Sequence, residues 1–164
     1  MQVTSNTGPI IALAKISCLS ILKTMFSEIL IPPVVYRELL GKSGTEWEEI
    51  ESALNDFIKV MEPDHSDNAT ELAIANLDEG ERQTIKLAAN LRGNVLLLID
   101  DKAGREAASR LNIPITGTIG ILLLAKEKGR LTDVTLLIDK LRNSGYWFSD
   151  ELIEIAKKLA KEDL

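Results

Sequence analysis

The chain has 164 residues, 45% apolar and 27% charged, which is the composition of one globular domain with a sizeable core and excludes disorder, collagen and coiled-coil readings. Its net charge of −6, from 25 acids against 19 bases, argues against a passive coat on a polyanion. One cysteine, Cys18, excludes an intrachain disulfide, and one histidine, His65, excludes any site that needs two. The longest uncharged apolar run, Val95–Ile99, is far short of the roughly 20 residues of a membrane span, and Met1–Gln2–Val3 lacks the basic start of a signal peptide, so a cytoplasmic protein away from membranes is expected.

In chain order, Gln2–Ser5 reads as a short strand. Thr7–Gly8–Pro9 opens a helix, with proline where its missing N–H costs nothing, and Ile10, Leu13, Ala14 and Ile16 form the stripe. Leu19–Phe26 is a second short helix, and Glu28–Ile31 a strand stopped by Pro32–Pro33. A helix follows to Leu40 and ends at Gly41. Trp47–Leu54 reads as an amphipathic helix, Phe57–Met61 as a strand and Leu72–Asn76 as helical. A stronger helix starts after Asp78, runs to Leu91 and is closed by Gly93. Val95–Ile99 is apolar throughout, as suits a strand covered on both faces. Asp101–Leu111 is helical, Ile113–Ile115 is a last strand, and Gly117–Lys128, Val134–Asn143 and Glu151–Lys161 are helices.

Strands alternating with helices predict an α/β fold with a parallel sheet and helices on both sides. Ligands of such sheets bind outside the carboxyl ends of the strands. Those places carry Ser5–Asn6–Thr7, Glu38 in the helix after the second strand, Asp78–Glu79–Gly80–Glu81, Asp100–Asp101, and Thr116–Gly117–Thr118. An oxygen-only set of this kind suits Mg²⁺ or Mn²⁺ and not zinc.

Each acid also has a structural reading. Glu38 can pair with Lys42 at i,i+4, although it lies along the apolar stripe of Val34 and Val35. Asp78-x-x-Glu81 fits a variant capping box, and Asp100 or Asp101 can cap the helix that follows. Two adjacent acids at the end of a buried strand exceed what a cap requires. His65 sits in a polar loop, and Cys18 begins a helix in a sequence with no second histidine to activate it, which disfavours a nucleophile. Trp47 and Trp147 read as packing residues, and Lys126, Lys128 and Arg130 as a solvated helix end. Gly117–Thr118–Ile119–Gly120 is too short and too apolar for a phosphate loop.

Five segments in order resemble the PIN domain, and more narrowly a prokaryotic PIN subfamily related to VapC toxins. They are residues 3–16 (VTSNTGPIIALAKI), 31–39 (IPPVVYREL), 77–81 (LDEGE), 97–105 (LLIDDKAGR) and 115–120 (ITGTIG). The C-terminal helices also look like that subfamily's tail. The resemblance implies a three-layer α/β/α sandwich on a five-stranded parallel sheet. It also implies a single domain over 1–164, with helices from about residue 132 as an extension. By matching position, Glu38, Glu81 and Asp101, with Asp100 beside them, would bind Mg²⁺ or Mn²⁺, and Thr118 would orient a ligand or water. Most active members carry aspartate where this chain has Asn6; an amide oxygen still ligates a hard cation but brings no charge. The subfamily often carries asparagine here.

The function implied is metal-dependent RNA hydrolysis by the toxin of a toxin–antitoxin pair. A small antitoxin would fill the acidic groove, and the toxin would form a homodimer. Lys102 and Arg105, on the helix leaving the site, would engage flanking phosphates; ordinary surface charge is the other reading. The apolar faces of Gly117–Ala125 and of the C-terminal helices, with Tyr146, Trp147 and Phe148, are candidate contact surfaces, with burial in the core as the default for each. A weakened PIN module that binds RNA or a protein is a second reading. A phosphoryl-transfer fold is disfavoured, because Asn6 stands where its aspartate would be.

Overall fold

The computed structural model describes residues 1–42 and 44–163. It forms two compact units, Met1–Gly117 and Thr118–Leu164. The first contains β1 (Gln2–Ser5), α1 (Thr7–Lys15), α2 (Ser20–Phe26), β2 (Ile29–Ile31), α3 (Pro33–Leu40), α4 (Trp47–Leu54) and β3 (Ile58–Val60). It continues through α5 (Asn68–Ile74), α6 (Glu79–Asn90), β4 (Val95–Leu98), α7 (Lys102–Arg110) and β5 (Ile115–Thr116).

The five strands form one parallel sheet in the order β3-β2-β1-β4-β5. The chain winds from β1 out to β3, then returns to β4 and leaves for β5. Right-handed crossovers therefore place the helices of the two halves on opposite faces, and the expected three-layer α/β/α sandwich is present. The direction of winding reverses between β1 and β4, paired from Gln2↔Val95 to Ser5↔Leu98. Open α/β sheets bind ligands at the carboxyl edge of such a reversal.

The apolar run predicted as a doubly covered strand behaves as one. Leu97 and Ile99 pack with Ile74, Ile85, Ala88, Ala107 and Ala108 from α5, α6 and α7, and Leu98 between them is also fully buried. Successive strand residues face opposite layers, so this run needs no polar face.

Several boundaries differ from the sequence expectation by a residue or more, and three show what sets them. α5 starts at Asn68 rather than Leu72, because the Asp67 side chain accepts from the Thr70 N–H at 2.8 Å and caps it. β5 is Ile115–Thr116 rather than Ile113–Ile115. Pro114 has no N–H to give the ladder, and only its carbonyl takes part, accepting from the Leu97 N–H at 2.9 Å. α10 (Asp150–Leu159) begins one residue early, where the Ser149 hydroxyl accepts from the Leu152 N–H.

The second unit contains α8 (Thr118–Glu127), α9 (Val134–Asn143) and α10. α8 thus joins the helices that were expected to begin the extension near residue 132. Glu162 clasps this unit: its carboxylate pairs with the Lys126 ammonium at 2.6 Å and accepts from the N–H groups of Val134 and Thr135, both at 2.9 Å. Those two N–H groups open α9 and have no partner within the helix. The packing role expected of Trp147 is not found, since it is 84% exposed in the turn before α10. Trp47, Tyr146 and Phe148 are half-buried.

Candidate active site

Asn6 is the residue after β1, fixed there by its N–H donating to the Leu98 carbonyl at 3.0 Å. Asp100 and Asp101 follow the adjacent strand β4. The switch between β1 and β4 therefore sets Asn6 and the acidic pair at one edge of the sheet. Thr7, beginning α1, donates its hydroxyl to Glu38 Oε2 on α3 at 2.5 Å. The other oxygen of Glu38 lies against Gly80 in the first turn of α6, where a Cβ would come within 2.5 Å of it. Glycine inside a helix costs about 1 kcal/mol relative to alanine; here it makes room for the carboxylate.

Glu81, the next residue, faces two further acids. Burial, with the charges of Asp78 and Asp101, pushes its carboxyl up to about 7. At neutral pH it retains a proton for part of the time and hydrogen-bonds the Asp78 side chain. The chain of contacts Thr7–Glu38–Gly80, with Glu81 beside Gly80 and sensing Asp101, draws four elements into one acidic patch.

The capping readings are also correct. Asp78 accepts from the Glu81 N–H at 2.9 Å, and Asp101 Oδ2 accepts from the Gly104 N–H at 2.8 Å. Asp101 is thus both helix cap and neighbour of Glu81. Asp100 turns towards the end of β5: a Cβ on Gly117 would lie 2.5 Å from its Oδ1 and 2.9 Å from Arg105 Nη1. Arg105 also donates to the Ile99 carbonyl at 3.0 Å, which ties its guanidinium back to the strand end. Lys102 is exposed in the first turn of α7. Thr118, the first residue of α8, is buried and belongs to the second unit.

The donor chemistry fits a hard divalent cation. Carboxylates with an amide oxygen gather where negative charge lacks compensation, as the raised Glu81 proton affinity records. Among the described residues, however, no three acid, histidine or cysteine side chains stand close enough to hold one ion. Glu38 gives one oxygen to Thr7 and Asp101 gives one to its own helix, so a cation would be held through the other oxygen of each.

Two participants stood among the residues near the strand ends with no role assigned to them. Thr7 has no sequence signal beyond a hydroxyl at a strand end. Gly80 has one: a glycine early in an otherwise regular helix marks a close approach.

A family model described as a PIN domain matches residues 2–162. No curated protein and no solved structure matches the chain.

Proposed function

Because the chain belongs to the PIN-domain family, we propose that it is a metal-dependent endoribonuclease that hydrolyses RNA phosphodiesters, acting as the toxin of a toxin–antitoxin pair. The observation that supports this reading is the acidic patch at the β1/β4 switch, where burial, and then the charges of Asp78 and Asp101, raise Glu81 to about 7. Such repulsion is a cost to the fold that a bound cation would relieve.

Glu38, Glu81 and Asp101 would hold Mg²⁺ or Mn²⁺, with Asn6 as a neutral oxygen ligand. When bound, the ion lowers the pKa of a coordinated water and offsets charge on the phosphate. Thr7 keeps Glu38 aimed into the site by its hydroxyl, so that Glu38 either ligates or accepts a proton bond from the attacking water. Exposed Lys102 contributes positive charge for a flanking phosphate. Arg105 braces the strand end beside Asp100. The same groove would accept a cationic segment of a small antitoxin.

The test is cleavage of a mixed RNA pool in Mn²⁺ by the wild type, Asp101→Asn and Glu38→Gln. Cleavage by the wild type alone supports the reading, and equal cleavage by all three removes the site assignment.

Asn6 and the dispersed carboxylates favour a second reading, a weakened module that binds RNA or a protein without cutting it. RNA retention without cleavage, with activity appearing in Asn6→Asp, would support that version.

A further inference from the structure

The turn between α9 and α10 holds three aromatic residues in succession, Tyr146, Trp147 and Phe148. The run is anchored at both ends. Gly145, at φ +100°, reverses the chain after α9, and the Tyr146 N–H donates back to the Leu141 carbonyl at 3.1 Å. Beyond Phe148, the Ser149 hydroxyl accepts from the Leu152 N–H and opens α10. All three aromatic residues line a hollow of about 600 Å³ within the second unit, together with Asp139 and Arg142 of α9 and Asp150 of α10. Trp147 is 84% exposed there, so its ring is open to a ligand.

The charges of the hollow say which ligand. Asp139 and Asp150 stand against one cation, Arg142, which faces its i−3 neighbour Asp139 across 3.9 Å. Asp150 has no ion pair among the described residues. An anion entering the hollow would meet an uncompensated carboxylate; a cation would compensate it. The rings add to the same preference, since the face of an aromatic ring carries the negative part of its quadrupole and attracts positive charge. Among the described residues no third carboxylate joins these two to hold a metal ion. A ring face also rewards a cation that sheds water easily, and an alkylated ammonium does so more readily than a small inorganic ion.

We propose that the hollow between α9 and α10 binds a small organic cation bearing an alkylated ammonium group, held on the ring of Trp147 and balanced by Asp150. The site is built from other elements than the acidic patch and does not depend on the nuclease reading.

Titration of choline into the full chain at constant ionic strength tests this. The two tryptophans give two indole N–H signals in a proton–nitrogen correlation spectrum, and Trp147→Phe identifies which is which. The Trp147 signal should move saturably, with a midpoint at about 1–10 mM, while that of Trp47 stays in place. Dimethylbutanol, the neutral isostere with carbon in place of nitrogen, should bind about tenfold more weakly or worse. Asp150→Asn should weaken choline binding by about threefold or more, and Trp147→Ala should abolish it, both read from the choline methyl resonances. Both changes are on exposed positions, and far-UV circular dichroism reports that the fold is kept. A Trp147 signal that does not saturate by about 50 mM choline overturns the proposal. So does equal binding of the neutral isostere, or an Asp150→Asn variant that binds like wild type. A Trp147 signal moved by a uridine oligonucleotide and not by choline would make this ring a base-stacking platform, and also overturns it.

Discussion

At the scale of single residues, the acidic patch makes predictions that separate chemistry from folding. Asp101→Asn and Glu38→Gln should each abolish metal-dependent RNA cleavage, by a factor of about 100 or more, with unfolding midpoints close to wild type. Gly80→Ala is a sharper probe. Its new methyl would displace only the end of the Glu38 side chain, and alanine favours a helix. The variant should fold as well as wild type yet lose cleavage, since Glu38 must leave Thr7. Glu81 gives a pH signature. Its carboxyl is raised from 4.5 to about 7 by burial and by Asp78 and Asp101. Ionising it therefore opposes the fold: the penalty is absent below pH 4.5, grows between 4.5 and 7 and is complete above 7. Glu81→Gln should melt higher than wild type at pH 8 and level with it at pH 4, measured without divalent ions. Asn6, Glu81 and Asp101 were singled out from their places after strands or at a helix start, and Glu38 from its place on the helix after the second strand. Their present hydrogen bonds were not, because which donor a carboxylate chooses depends on contacts across elements, such as Thr7 to Glu38, 31 residues apart.

At the scale of elements, caps and one clasp decide the boundaries. Elements with apolar periodicity, such as β4 and α9, could be read directly, since burial on known faces produces their patterns. α5 could not: its start depends on Asp67 capping Thr70, in a polar stretch where periodicity is silent. β5 moved because two ladder residues leave little pattern to see. Glu162 is the element-scale surprise. Burial alone would raise its carboxyl, but Lys126 and the N–H groups of Thr135 and Val134 outweigh it and hold it at about 2. The stability this confers is present above pH 4.5 and is lost as pH falls from there through 2. Glu162→Ala leaves the first N–H groups of α9 and the Lys126 ammonium without this partner. It should cost about 2 kcal/mol in urea unfolding at pH 7, with the difference from wild type narrowing at pH 3. The C-terminal helices were read as apolar contact surfaces, but which face of α10 stays exposed was not legible, because both faces look alike until packing shows which one is covered.

At the scale of the whole molecule, the strand order turns local sequence into a site. Parallel strands, right-handed crossovers and one reversal of winding put Asn6 beside the Asp100–Asp101 pair, although they are far apart in sequence. The parallel sheet followed from alternation of strands and helices, and five strands from the family resemblance, but the order β3-β2-β1-β4-β5 was not legible, because several windings satisfy the same alternation. The net charge of −6 carries a prediction at this scale. Without divalent ions the acidic edge repels phosphates, so RNA affinity should be weak and should rise when Mn²⁺ is added, as a filter-binding series would show. The most direct measurement is calorimetric titration of Mn²⁺ into the wild type and into Asp101→Asn. Saturable binding by the wild type that is lost in the variant is the predicted result; no binding by the wild type, or equal binding by both, would contradict a metal site at this patch.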